Sequence, residues 1–372
     1  MIHAIFNPYN WSAVPFHFWS ACFFVFGCLI GSFLNVCIYR MPLGLSVVSP
    51  PSHCPHCKYA IPFYLNIPLV TWLALGGKCK NCGAPISPRY FVVEFLTGIA
   101  FLSCWLKFGN PLHPFQTMPV ALVFSIFLAG LICATFIDIE HFIIPDEITF
   151  GGIITGFLAS AFLPSLHGAK IPPDGMLQSV LGIVTGAGIV YAILRLGKLL
   201  FGKQKLKLSA ETKVIFSDTH LHFDGKEIPY EEIFYRKSDV IVLQARTIEL
   251  IDRGYENVRV RLSPSSLEID DEKINPDDVP FLEAVSAEVI LPREAMGLGD
   301  VKFMAAIGAF IGWQGVIFSL AVSSFIGAVV GVILILLRKR EWSSRMPYGP
   351  YIALAAAIWI FGEKKFFQTF FH

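Results

Sequence analysis

Charge is what this 372-residue chain has least of. Asp, Glu, Lys and Arg together make up 15% of it, against 54% hydrophobic residues, and mean hydropathy is +0.60. So little charge, with uncharged runs of about 20 residues, excludes an ordinary soluble globule and points to a polytopic helical membrane protein. Two stretches, Phe108 to Ile137 and Phe303 to Leu337, carry no charged side chain at all. Acid is scarcer still outside one segment. Of the 28 acidic residues, 19 lie between Lys203 and Glu294; the other nine are Glu94, Asp138, Glu140, Asp146, Glu147, Asp174, Asp300, Glu341 and Glu363. Basic residues are missing before the first apolar run, about His17 to Tyr39, which ends in Arg40 without a small-residue cleavage site. That run is therefore read as a first span and not as a cleavable signal peptide.

The basic residues present sort the loops. Arg40, Lys58, Lys78, Lys80 and Arg89 follow the first span; Arg195, Lys198 and Lys203 follow the fifth; Arg338, Lys339, Arg340 and Arg345 follow the seventh. The opposite side holds Lys107, Lys170, Lys364 and Lys365. By the positive-inside rule these clusters face the cytoplasm and the N-terminus lies outside. The remaining spans are expected near Tyr90–Leu106, Met118–Ile137, Ile148–Leu163 and Leu177–Leu196. The run from Phe303 to Leu337 would reach ~50 Å as one helix, against ~30 Å of hydrocarbon. Gly312-Trp-Gln-Gly315 is the natural place for it to turn, which makes spans six and seven, and Tyr351–Phe361 is an eighth.

The expected architecture is thus an all-α polytopic membrane protein of about eight transmembrane helices. It carries a cytoplasmic four-cysteine zinc loop and a small, mainly-β cytoplasmic insertion. Its parts are a first span (1–39), the zinc-binding loop (40–89), spans two to five with the first key Asp (90–202), the β insertion (203–292), and the Gly-x-Gly-Asp motif with spans six to eight (293–372). In the insertion, Asp224-Gly225 between alternating segments predicts a hairpin. Asp239–Glu249, Asn257–Leu262 and Leu267–Ile269 also have strand character. The insertion contains no catalytic motif and reads as a docking or spacer module.

Two knuckles, Cys54-Pro-His-Cys57 and Cys79-Lys-Asn-Cys82, stand 21 residues apart. Four thiolates at that spacing suit one tetrahedral structural zinc. Disulfides are the competing reading, and a reducing compartment disfavours them. Cys22, Cys28, Cys37, Cys104 and Cys133 lie in apolar spans and are expected to be core residues.

The scarce carboxylates carry the chemistry. Asp300 stands in Gly297-Leu-Gly-Asp300-Val-Lys302 at the mouth of one uncharged run, and Asp138 ends the other, in Asp138-Ile-Glu-His-Phe-Ile-Ile-Pro-Asp146. An ionisable group at membrane depth is costly and so is a functional suspect. Two carboxylates sharing one proton are what aspartyl proteolysis needs: one activates water, the other supports the scissile carbonyl. Gly297 and Gly299 are expected to let the backbone turn tightly and a substrate strand approach, with Lys302 in support. The competing reading makes Asp138 and Asp300 helix caps. Asp146, after Pro145 and before a new span, fits a first-turn position, and Glu140 does not share a helical face with Asp138. His141 reads as an interfacial residue.

These residues, taken together, resemble the type IV prepilin peptidases. The likeness rests on Gly31-Ser-Phe-Leu-Asn-Val-Cys-Ile-Tyr-Arg40-Met-Pro42, both Cys pairs, Asn66-Ile-Pro-Leu-Val70, Leu73-Ala-Leu-Gly-Gly77, Arg89-Tyr90, Glu94, Phe136-Ile-Asp138, Ile144-Pro-Asp146, Gly297–Lys302 and Tyr348-Gly-Pro-Tyr351. The resemblance implies that Asp138 and Asp300 are the catalytic pair. The substrates it implies are prepilin and pseudopilin precursors, cleaved after a short basic leader on the cytoplasmic face of the bacterial inner membrane. It also implies methylation of the new N-terminus with S-adenosylmethionine, an activity tied to the Cys loop. Glu94, Glu140, Asp146 and Glu147 are available to attract the leader. The bilayer is the other partner, and no nucleic acid is expected. Without the resemblance, the same carboxylates would also suit a proton-coupled transporter, and the zinc loop and insertion a catalytically silent assembly protein.

Overall fold

A computed structural model describes residues 14–234, 239–250, 253–270, 272–279, 281–292, 297–337 and 346–362. Apolar helices dominate: α1 (Phe16–Arg40), α2 (Pro88–Phe108), α3 (Pro114–His141), α4 (Asp146–Phe162), α5 (Pro172–Phe201), α6 (Leu298–Leu336) and α7 (Gly349–Phe361). Five of these, all but α4 and α7, are long and apolar enough to cross a membrane. The expected spans fall on these helices with ends shifted by a few residues, spans six and seven both on α6. Pro at the first or second position begins α2, α3 and α7, where a missing N–H costs nothing.

Apolar side chains remain on the outside of the helices. Phe26, Leu29 and Phe33 of α1, Ile154 of α4 and Val184 of α5 are all exposed. Helices apolar on every face need lipid, not water, around them. This is a multi-pass membrane protein. One consequence overturns an expectation: Cys22 is exposed on α1, whereas Cys28, Cys37, Cys104 and Cys133 are buried.

The long helix α6 has two arms that meet at Gly312, where φ is 72° and ψ 176°. A methyl group on Gly308 would lie 3.0 Å from Cγ2 of Val316. Eight residues of unbroken helix would separate the two by ~12 Å, so the chain turns sharply at the glycine. The first arm then packs on α5 with almost no space between. A Cβ on Gly182 would sit 2.0 Å from the carbonyl oxygen of Gly308. Small residues of this kind let membrane helices approach closely.

The chain divides into two compact units, Met1–Val190 with Leu298–His372, and Tyr191–Gly297. The second holds one antiparallel sheet of eight strands in the order β3-β2-β1-β8-β4-β5-β6-β7. The strands are β1 (Lys203–Phe216), β2 (His220–Phe223), β3 (Lys226–Pro229), β4 (Ile241–Glu249), β5 (Gly254–Ser263), β6 (Ser266–Ile269), β7 (Glu272–Ile274) and β8 (Leu282–Pro292). The predicted hairpin is there, with Asp224 and Gly225 both at positive φ between β2 and β3, as a two-residue turn requires. The central pair, β1 and β8, was not expected. Their register breaks between Lys207 and Thr212.

Candidate functional site

Two salt bridges link the segments that hold the candidate residues. Arg89, at the start of α2, is salt-bridged to Glu140 at the end of α3. Lys302, in the first turns of α6, is salt-bridged to Asp146 at the start of α4. The Cys loop, the Asp138 segment and the Gly-x-Gly-Asp motif are thereby drawn together.

Asp138 lies in the last turn of α3 and is 6% exposed. Phe142, at φ 55°, ends that helix, its N–H donating to the Asp138 carbonyl at 3.0 Å. The Asp138 side chain does not cap its own helix. Its Oδ2 accepts the backbone N–H of Gly349 at 2.8 Å, and Gly349 is the first residue of α7. The positive end of a helix is a natural seat for a carboxylate. A side chain at 349 would displace the carboxylate, because a Cβ there would stand 2.8 Å from Oδ2 and 3.3 Å from Cδ1 of Ile144. The hydroxyl of Tyr348 fixes this helix start through Ser323 (2.9 Å) and Ser324 (3.0 Å) on the second arm of α6. Gly349 was not among the candidate site residues; its stretch, Tyr348-Gly-Pro-Tyr351, entered as part of the family resemblance.

Asp300 occupies the first turn of α6 as its third residue and so is not the N-cap. Gly299 beside it faces the Asp138 loop: a Cβ there would lie 3.5 Å from that of buried Ile144. Ile144 thus lies against both Gly299 and the Gly349 that holds Asp138. The expectation of a tight turn fails at Gly299, which is helical. A 3.5 Å contact is ordinary packing, so the fold alone would accept alanine there. Gly297 lies just before the helix and is exposed.

The rivals of Asp138 are otherwise engaged. Glu140 holds Arg89 and Asp146 holds Lys302, so Lys302 serves a salt bridge between α4 and α6. Glu94 is 7% exposed and accepts the Leu69 N–H; of the four acids expected to attract a leader, Glu147 is exposed and in none of these pairs. His141 is exposed.

The four cysteines of the loop converge, their sulfurs all within 4.8 Å of one another. Cys54 and Cys82 are 3.8 Å apart, and Cys57 and Cys79 3.9 Å. A tetrahedral centre with ~2.3 Å metal–sulfur bonds has edges of ~3.8 Å. The two knuckles repeat one fold. Cys54 N–H donates to the Tyr59 carbonyl (2.9 Å) and Lys58 N–H to the Cys54 carbonyl (2.9 Å). Cys79 N–H donates to Ala84 (2.8 Å) and Gly83 N–H to Cys79 (2.9 Å). Lys58 and Gly83 supply the positive φ that each turn needs. The Asn81 amide donates to Cys57 Sγ at 3.5 Å, and this bond first, then one from a backbone N–H, lowers the Cys57 thiol to about 6. Backbone N–H groups of Cys82 and Asn81 lower that of Cys79. Cys82 is instead pushed up to about 11, but four sulfurs at tetrahedral spacing, two of them biased towards thiolate, can hold a metal ion.

Apolar helices of spanning length, four converging cysteines able to hold a metal ion and a buried aspartate hydrogen-bonded to a distant helix define a polytopic membrane protein. Sequence comparison agrees residue range by residue range. Residues 25–108 match the bacterial peptidase A24 N-terminal domain, and residues 125–208 and 279–332 match the type IV leader peptidase family. The chain is 27% identical to the prepilin leader peptidase/N-methyltransferase of Aeromonas hydrophila, over 94% of this chain and 93% of that protein. It is 35% identical to the type 4 prepilin-like proteins leader peptide-processing enzyme of Escherichia coli O78:H11, over 48% of this chain and 68% of that protein. A more local match, to the prepilin leader peptidase/N-methyltransferase of Myxococcus xanthus, is 39% identical over 43% of this chain and 48% of the relative. No solved structure matches. The chain belongs to the type IV leader peptidase family.

Proposed function

We propose that this protein is a membrane aspartyl endopeptidase that removes the basic leader from type IV prepilins and pseudopilins and then methylates the new N-terminus. Asp138 and Asp300 form the catalytic pair. The carrying observation is the clasp on Asp138, where a backbone N–H from a helix more than 200 residues away fixes a buried carboxylate. A donor at 2.8 Å sets the direction of the carboxylate, and orientation of this kind is what a reacting group needs. In the pair, one carboxylate takes a proton from water while the other, protonated, supports the scissile carbonyl.

The eight apolar helical segments, counting both arms of α6, each cross the inner membrane. The basic loops support a cytoplasmic position for Asp138, Asp300, the Cys loop and the β insertion. A pilin precursor then lies with its apolar helix in the bilayer and its leader in the cytoplasm, so its scissile bond meets the aspartates without a tunnel through the membrane. Cys54, Cys57, Cys79 and Cys82 hold one structural zinc, which supplies a fixed framework for a Pro-rich loop too short for its own core. S-adenosylmethionine supplies the methyl group.

Purified protein in detergent, given a type IV prepilin, is expected to release the leader; with S-adenosylmethionine added, mass spectrometry is expected to find the mature N-terminus methylated. A folded preparation that leaves the precursor intact would overturn the assignment and favour a transporter or a silent assembly protein.

A further inference from the structure

Between the end of α1, the start of α2 and the Cys loop lies a cavity of about 560 Å³, a size usual for small-ligand sites. Three buried polar side chains on its wall are only partly matched, two without an opposite charge and one with an idle oxygen. Arg40 is 8% exposed. Its guanidinium donates to the carbonyls of Ser46 (2.9 Å) and Pro50 (2.6 Å), and among the described residues it meets no carboxylate. Glu94 accepts the Leu69 N–H at 2.7 Å, and among the described residues it meets no cation. Asn35, 1% exposed, donates to the carbonyl of Tyr90 at 3.0 Å, while its Oδ1 has no partner.

Burying a charge without its counter-ion is costly. Here one cation and one anion line the same cavity, each without an ionic partner, beside an idle acceptor. Such a wall matches a zwitterion. The rest of the lining includes Tyr39, Trp72 and Tyr90, a surface for a flat ring. The backbone is set for the purpose as well. Leu69 stands at φ 61°, ψ −50°, and Val70 N–H closes on the Pro68 carbonyl at 2.6 Å. This three-residue turn is of the rare, strained hand, and strain of that kind collects at ligand clamps.

We infer that this cavity holds S-adenosylmethionine, with Arg40 facing its carboxylate, Glu94 its cationic end and the aromatic wall its purine. The inference rests on the methyltransferase half of the proposed function. It assigns the site to side chains of α1 and α2 as much as to the loop that bears the metal.

Calorimetric titration of the full-length protein in detergent tests it, using S-adenosylmethionine, S-adenosylhomocysteine and 5′-methylthioadenosine, which lacks the amino-acid end. Glu94→Gln keeps an acceptor for Leu69 N–H and removes the charge. It is expected to weaken binding of the first two ligands at least tenfold, to leave methylthioadenosine unchanged, and to cleave precursor at the wild-type rate. Equal affinity of wild type and Glu94→Gln for S-adenosylmethionine would overturn the site while leaving the methyltransferase reading intact. No binding by a wild-type preparation that cleaves precursor would overturn both the site and the methyltransferase reading, and would spare the peptidase. Should Glu94→Gln fail to fold, Arg40→Gln replaces it. A loss confined to the two zwitterionic ligands supports the site, and an equal loss for methylthioadenosine overturns it.

Discussion

Asp138 and Gly349 act as one unit although 211 residues separate them. Gly349→Ala puts a methyl group within 2.8 Å of the carboxylate oxygen, so the carboxylate must move. Displacement of a reacting group by about 1 Å costs roughly 100-fold in rate. The variant is therefore expected to insert and fold, with kcat reduced by about that factor and KM little changed; wild-type turnover would show that the clasp is not needed. Asp146→Asn loses only an exposed pair with Lys302, worth at most ~1 kcal/mol, and is expected to retain most of its activity. At this scale the sequence was informative wherever scarcity made a residue conspicuous. Asp138, Asp300 and the four cysteines stood out because few acids and few paired cysteines compete with them. Gly349 did not, because a Gly-Pro at a helix start looks the same whether or not a carboxylate waits above it. Glu94 was noticed, but only the fold reveals that it faces the Cys-loop cavity.

The elements each depend on a few positions. At Gly312 the chain needs φ 72° with ψ 176°, a combination essentially confined to glycine, where a side chain costs ~1–3 kcal/mol. Gly312→Ala is expected to lower the thermal midpoint without touching the proposed catalytic pair, which differential scanning fluorimetry in detergent can check. The paired Cys knuckles are expected to bring one zinc per chain through purification. Metal analysis giving a ratio near zero, with four free thiols, would contradict that, and removal of zinc should hurt methylation more than cleavage. Helices were legible because an uncharged run followed by a Pro or Gly marks both ends. The hairpin at Asp224-Gly225 was legible because two adjacent residues encode it. The central strands β1 and β8 were not. They pair residues some 70 to 90 positions apart, and β8 buries small residues, Ala284 and Ser286, on its inner face. Alternation so weak in hydrophobicity is visible only once the sheet is assembled.

Across the whole molecule, the β unit and the helical unit each have their own buried core. The β sheet supplies none of the residues that the proposed chemistry uses. Deleting residues 209–288 across a short linker is accordingly expected to leave precursor cleavage intact, and a folded, inserted but inactive deletion would make the sheet part of the catalytic machinery. The central claim is that two aspartates, one from the end of α3 and one from the start of α6, perform the cleavage as a pair. Single-turnover cleavage of a type IV prepilin by Asp138→Asn, Asp300→Asn and wild type, each verified as folded by its thermal midpoint, tests this most directly. The account predicts no cleavage by either variant beside full cleavage by wild type; retained cleavage by either one would contradict it.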